Sequence, residues 1–454
     1  MSPDALSSSE LFGVFMVLIS ALSYLNSRFW KLSPTIAMLI GGLVIAGAVA
    51  LSDSLGWPAG GRIRELVQSI PFGTLVFDWL LSFLLFSSAV QIDVKLLFRK
   101  RLAVISMTLI TTLITMLLLG AGFYGLLHWA GLPITWPLAL LFGAIIAPTD
   151  PVAVLPILQA AHVPKTTETL IAGESLFNDG VGVVAFTVLV AAALPAAGEV
   201  AQNVTALSTT ILFLREMLGG LLAGALLGFV AILLIRNVPR DENTRLTISL
   251  AMVVGGNALA QWLGISAPVT VAASGLMLSA LLQLWRRRAK QSGWLGNLSG
   301  DERRQLEDSQ TRLSGFWQFI DYLLNAALFT VMAFEVLSLK LNTMLLLLAP
   351  VVIGLNLLAR ALGVWIPVTL LKRREHFPPY TRRVMIWAGL RGGVTLALAF
   401  NLPDNPLRGT FLVMSYAVVV FSMLVQGLTL PGLARKLNTA ARIADEPGAG
   451  PHLT

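Results

Sequence analysis

Asp150 and Asp179 are carboxylates inside stretches that otherwise read as membrane-spanning. The first belongs to Ala147-Pro148-Thr149-Asp150-Pro151 and the second to Gly173-Glu174-Ser175-Leu176-Phe177-Asn178-Asp179-Gly180. An ionised carboxylate within a bilayer is costly, so it marks an ion path, a proton relay or a substrate site. Thr149, Ser175 and Asn178 add hydroxyl and amide oxygens, the donors that hard cations prefer. Ser175 and Asp179 are four residues apart and share a helical face, and Ser175 and Asn178, three apart, are also neighbours. A carboxylate that holds either a proton or a cation, never both, is by itself an exchange mechanism, because either ligand neutralises the charge. Asp179, Asp150, Thr149, Ser175 and Asn178 are therefore the expected cation and proton ligands, with an alkali cation held at Asp179 and Asp150.

The elements that carry these residues are interrupted helices. Prolines on both sides of Asp150 remove backbone donors and free peptide groups to face an ion. A second interruption, Gly389-Leu390-Arg391-Gly392-Gly393, places an arginine among three glycines that weaken the helix. Glu174 is five residues from Asp179 and points to another face, so it is expected to pair with Arg391 as a structural ion pair while Asp179 stays free.

Composition agrees with a bilayer as solvent. Of 454 residues, 56% are apolar and 12% charged, with a mean hydropathy of +0.78; a soluble domain carries about 25% charged residues. With roughly 20 apolar residues per span, about thirteen helices are expected. Their cores are 11–27, 33–51, 74–94, 102–128, 135–160, 169–195, 210–235, 243–263, 266–285, 315–338, 342–371, 382–402 and 408–431. The expected fold is an all-α polytopic membrane protein. The two interruptions fall in the fifth and twelfth spans, each the fifth helix of a six-helix half if the seventh is a linker. That spacing predicts two inverted repeats whose discontinuous helices cross at mid-membrane.

A single transmembrane domain over 1–437 is expected, with a cytoplasmic loop at about 286–313 and a disordered tail at 438–454. Lysine and arginine concentrate on alternate connections, which places the C-terminus in the cytoplasm and the N-terminus outside. Residues 1–10 lack a basic region ahead of the first apolar run, so no cleavable signal is expected. The formal charge of +8 is spread among loops without a nucleic-acid motif, which argues against nucleic acid as a partner. The chain has no cysteine, its four histidines are isolated, and no phosphate-binding glycine loop is present. No cofactor, disulfide or ATP-driven chemistry is expected.

Plainer roles are open for several of these residues. Asp150 can cap the half-helix after Pro151, and Asn178-Asp179 can be a structural hydrogen-bonding pair. Gly180 and Gly182 suit close helix packing, and Asn325 suits a bond between helices. Arg360 either pairs with an unseen carboxylate or terminates a neighbouring helix, and Asp78 and Asp93 are expected to be solvated at span ends.

The combined motifs resemble the monovalent cation/proton antiporters, in the sodium/proton exchanger branch that includes bacterial NhaP-type proteins. The text that carries the resemblance is Ala147 to Val154, Gly173 to Asp179 and Gly389 to Gly392, supported by Phe316-Trp317 through Asn325 and by Gln426 to Pro431. It covers nearly the whole chain. The resemblance implies a homodimer in the bacterial inner membrane, with a dimerisation bundle and a core that moves as an elevator. It also implies that Asp179 is the principal carrier, and it repeats the assignment of Glu174 and Arg391 as a pair. Many relatives carry an acidic residue where this chain has Ser87, in Phe86-Ser87-Ser88-Ala89-Val90-Gln91. Ser87 is thus an uncertain site-lining residue, and its identity leaves ion preference open.

The resulting expectation is exchange of cytoplasmic sodium or lithium for external protons. Asn178 stands where electrogenic relatives carry a second aspartate, and Arg391 does not titrate, so one-for-one exchange is expected. Exchange of potassium for protons is the first alternative, and a cation channel is a second. An intramembrane hydrolase lacks the catalytic pairs it would need.

Overall fold

Prolonged apolar runs of good helix formers fold here as helices, and no strand occurs among the described residues. A computed structural model describes residues 8–55, 80–194, 206–238, 241–291, 300–339, 342–375, 377 and 380–445. Helix α1 is Ser8–Leu25, continued by a wide turn at Asn26–Trp30, and α2 is Pro34–Ser54. Next come α3 (Leu81–Gln91), the short α4 (Val94–Arg99) and α5 (Arg101–Trp129). The fifth expected span is divided into α6 (Trp136–Ile146) and α7 (Pro151–Ala160). It is followed by α8 (Lys165–Ala193), α9 (Ala206–Asn237) and α10 (Glu242–Leu263). Then come α11 (Ala267–Gln291), α12 (Gly300–Glu335) and α13 (Thr343–Leu371). The second divided span gives α14 (Thr381–Trp387) and α15 (Gly393–Phe400), before α16 (Arg408–Phe421) and α17 (Gly427–Asp445).

Among the described residues, ten segments are long and apolar enough to cross a bilayer, counting α6 with α7 and α16 with part of α17 as single spans. The chain is an all-helical, multi-pass membrane protein. A helix lies over every one of the thirteen expected cores, although 74–79 of the third, with Asp78, lie outside the described residues. Asp93 caps α4, accepting from Lys95 N–H at 3.0 Å.

Two boundaries differ from expectation. The segment 286–313, expected as a loop, is helical through Gln291 and again from Gly300. From Asp301 to Ser314 the sequence is polar but has no glycine or proline, so its charges do not oppose a helix. The expected disordered tail is helical to Asp445, two residues before Pro447, and 446–454 lie outside the described residues.

Small residues set the closest packing. Gly220, Gly224 and Gly228, spaced by four on α9, face α11, and a side chain at Gly228 would stand 2.8 Å from the Ser274 carbonyl. Helices α5 and α13 pack along each other, and Thr111 Oγ1 donates to Gly363 O across that contact at 2.9 Å. Helix α8 lies against α5 and α6, while α12 packs on α2 and α3. A smaller apolar cluster joins α3, α9, α10, α11 and α12, with the Phe86 and Trp317 rings 4.6 Å apart at its centre.

Candidate functional site

The interruption between α6 and α7 is four residues long, Ala147 to Asp150. Pro148 has no N–H to continue α6, and Pro151 at the first turn of α7 needs none. Asp150 caps α7: its Oδ1 accepts from Val152 N–H at 2.8 Å. Capping was one of the two roles open to it, and it uses only one oxygen, since the buried Oδ2 has no hydrogen-bond partner.

The second interruption, Ala388 to Gly392, bonds directly to the first. Asp150 N–H donates to Leu390 O at 2.8 Å, and Arg391 Nη1 donates to Ala147 O at 2.6 Å and Pro148 O at 3.0 Å. Those carbonyls end α6, where the helix dipole is negative and peptide oxygens lack partners. Arg391 Nε and Nη2 also reach Asn356 Oδ1 at 3.2 and 3.0 Å, and its N–H donates to Ser422 Oγ at 3.0 Å. Gly392 is needed for this approach, because a Cβ there would overlap the Asp150 carboxylate.

The expected pairing of Glu174 with Arg391 is corrected by the structure. Glu174 is held by Arg360: Nη1 bonds Oε1, and Nη2 bonds Oε2 at 2.9 Å, in the fork geometry that suits guanidinium and carboxylate. Glu174 and Arg360 side chains are 1% and 2% exposed. Arg360 Nη2 also donates to Met385 O at 2.9 Å, near the end of α14. Both roles open to Arg360, pairing with a carboxylate and closing a neighbouring helix, are thus filled together. The angular separation of Glu174 from Asp179 does hold; it directed Glu174 toward an arginine, but of α13 rather than of the break.

Helix α8 brings its polar residues against the first interruption. Thr149 Oγ1 is 2.9 Å from Ser175 Oγ and accepts from Asn178 Nδ2 at 2.7 Å, while Thr149 N–H donates to Asn178 Oδ1 at 3.2 Å. Asn178 therefore clasps the break, and its hydrogen bonds run to Thr149 rather than to Asp179. Gly182 allows the approach, since a Cβ there would stand 2.5 Å from Pro148, and Gly180 faces Val269. Asp179 is 3% exposed, and its Oδ1 has no hydrogen-bond partner.

Ser87 is fully buried, so it faces neither lipid nor water. Its hydroxyl donates to Trp317 O at 2.9 Å and accepts from Gln91 Nε2 at 3.0 Å. Beside it lies Asp321 of α12, a carboxylate that was not singled out from sequence and whose charge also acts on Asp150. Its one available signal was its place within a run hydrophobic enough to span, Arg312–Glu335. Asn325 bonds Asp321 O within α12 at 2.8 Å instead of joining two helices.

The charges around the breaks do not balance. Glu174 and Arg360 neutralise each other, which leaves Asp150 and Asp179 facing Arg391. Such a site accommodates an added positive charge, and its oxygen-rich lining suits an alkali cation or a proton.

Helices that span, two mutually bonded breaks and buried carboxylates between them suit a membrane transporter. A profile of the family described as "Sodium/hydrogen exchanger, transmembrane" matches residues 9–436, and the chain belongs to that family. It is 33% identical over 445 residues to the Na(+)/H(+) antiporter NhaP of Pseudomonas aeruginosa, covering 97% of this chain and 99% of that one. It is 30% identical over 380 residues to the Na(+)/H(+) antiporter NhaH of Halobacillus aidingensis, covering 83% and 86% of the two. The electron-microscopy structure of the sodium proton antiporter MjNhaP1 from Methanocaldococcus jannaschii shares the fold, with a TM-score of 0.70 at 20% identity over 95% of this chain and 98% of that one.

Proposed function

We propose that this protein exchanges sodium or lithium for protons, one for one, at a site built on Asp179 and Asp150. The observation that carries this reading is the pair of buried carboxylates, each with an oxygen lacking a hydrogen-bond partner, beside two interrupted helices. Asp179 is the carrier, and Asp150, with one oxygen committed to capping α7, offers the other as a second ligand. Thr149 and Ser175 present hydroxyls, and Asn178 keeps Thr149 in place.

Cation and proton compete for the same carboxylate. Binding of either removes charge from a site that is costly to move through the bilayer while ionised. Arg391 stays protonated and holds the first break, so it takes no part in proton release. Glu174 and Arg360 tie α8 to α13 and to the end of α14. The family resemblance supports a homodimer in which a core carrying both breaks moves as an elevator past a dimerisation bundle. The halves are related as inverted repeats whose broken helices cross at mid-membrane, and the C-terminus faces the cytoplasm.

Reconstitution in proteoliposomes with an internal pH dye tests this reading. Addition of sodium or lithium is expected to drive proton movement with no dependence on membrane potential, and the apparent sodium affinity is expected to weaken as pH falls. Equal responses to sodium and potassium would redirect the assignment to potassium exchange. Ion flux without proton counterflow would identify a channel instead.

A further inference from the structure

We propose that Asp321 is a third acidic ligand of the transport site, a residue of α12 that faces Asp150 and sets cation affinity. The inference rests on the exchange reading above and deepens it. A carboxylate within an apolar span needs a partner, and Asp321 has no arginine or lysine among its described hydrogen bonds or ion pairs. Its residue is partly exposed, yet its Oδ1 is buried and without a hydrogen-bond partner.

Packing brings its helix to the second break independently of charge. Leu328 is seven residues along α12 from Asp321 and so lies on the same helical face. Leu328 packs where a Cβ on Gly393 would go, while the adjacent Gly392 is backed by the Asp150 carboxylate. That face of α12 thus looks onto the second interruption. Ser87 lies beside Asp321, and its single proton goes to Trp317 O or to the carboxylate, never to both.

Asp321 would join Asp150 and Asp179, which are 8% and 3% exposed with an unpartnered oxygen each. A cation shared between Asp150 and Asp321 would satisfy both. Because Asp321 is more exposed than the other two, an arriving cation meets it first and is passed inward to Asp150 and Asp179.

The test uses the full chain, as wild type, Asp321→Asn and Asp321→Glu, in proteoliposomes. Asp321→Asn keeps the shape and removes the charge. The apparent KM for sodium is expected to rise about tenfold, with the maximal rate within about twofold of wild type. Asp321→Glu is expected to recover most of that affinity, which a purely structural role would not require. Sodium-dependent thermal stabilisation of the purified protein should weaken in parallel in Asp321→Asn. If that variant does not fold, Ser87→Ala, which removes a hydroxyl able to stabilise the ionised carboxylate, is expected to raise the sodium KM about threefold. An unchanged sodium KM and an unchanged thermal shift in a folded Asp321→Asn, or an unchanged KM in Ser87→Ala if only that variant folds, overturn the proposal. Absence of sodium-dependent proton flux in the wild type would instead refute the exchange reading itself.

Discussion

The break between α6 and α7 is made by prolines and carries a carboxylate; the break between α14 and α15 is made by glycines and carries a guanidinium. Each contributes what the other lacks. Arg391 of the second reaches back to Ala147 O and Pro148 O of the first, left without helical donors because Pro151 has no N–H and Val152 N–H goes to Asp150, and Gly392 leaves room for Asp150. The end of α14 is served in turn by Arg360, from a third helix. Each interrupted helix therefore has an arginine at the carbonyls of its first half, but only one of these arginines is matched by a carboxylate fork. Glu174 makes the Arg360 junction neutral, and the Arg391 junction keeps its positive charge near Asp150 and Asp179.

This asymmetry predicts different costs for the two arginines. Glu174→Ala and Arg360→Ala each strand a buried charge and are expected to lose about 3–5 kcal/mol of stability. The double variant should be no worse than either single one, a coupling that thermal unfolding in detergent would read. Arg391→Ala is expected to impair exchange more than stability, since it removes a positive charge that acts on Asp179. If Glu174→Ala and Arg391→Ala instead proved coupled, and Glu174→Ala and Arg360→Ala additive, the assignment of partners would be reversed.

Smaller effects separate the two breaks further. Gly392→Ala forces a methyl group against Asp150 and is expected to cost about 1–3 kcal/mol, with a matching loss of sodium affinity. Asn178→Ala leaves Thr149 N–H buried without its acceptor, at a cost on the order of 1 kcal/mol. Its stability loss should be accompanied by weaker sodium binding, measured from the same activation curves.

The smallest effect belongs to a cap remote from both breaks. Asp241 begins α10, and hydrogen bonds from the Thr244 hydroxyl and then the Thr244 N–H hold its carboxyl below its ordinary value of 3.8. A lowered value in the folded protein means that this contribution is complete above the ordinary value and is lost as pH falls through the folded one. Asp241→Asn, which can still cap, should flatten the acid side of the melting profile slightly and leave exchange unchanged. Asp150, a cap of the same type, should differ entirely: Asp150→Asn should leave α7 capped but weaken sodium exchange.

The helices and their interruptions were readable because each has a local cause. Apolar runs of span length, Pro148 and Pro151, and the glycines around Arg391 act on their own backbone, and the observed helix ends follow them. What sequence could not decide was which distant residue stands opposite. Helical spacing separated Glu174 from Asp179 correctly, but Arg360 and Arg391 are 31 residues apart, one on α13 and one in the second break, and spacing along α8 does not choose between them. Asp321 was overlooked for a related reason: it is a lone acid in a helix whose N-terminal part is itself highly charged, so its burial shows only once α3 and α12 are packed. The same charges made 300–313 read as a loop, although polarity without glycine or proline also fits a helix.

The most direct measurement of the central claim is proton release on sodium binding by the purified protein in weakly buffered detergent. Wild type is expected to release protons in step with sodium saturation near the pH at which exchange is half-maximal. Asp179→Asn, folded by its melting temperature, is expected to release essentially none and to show no exchange in liposomes. Undiminished proton release and exchange from a folded Asp179→Asn would contradict the assignment of Asp179 as the carrier.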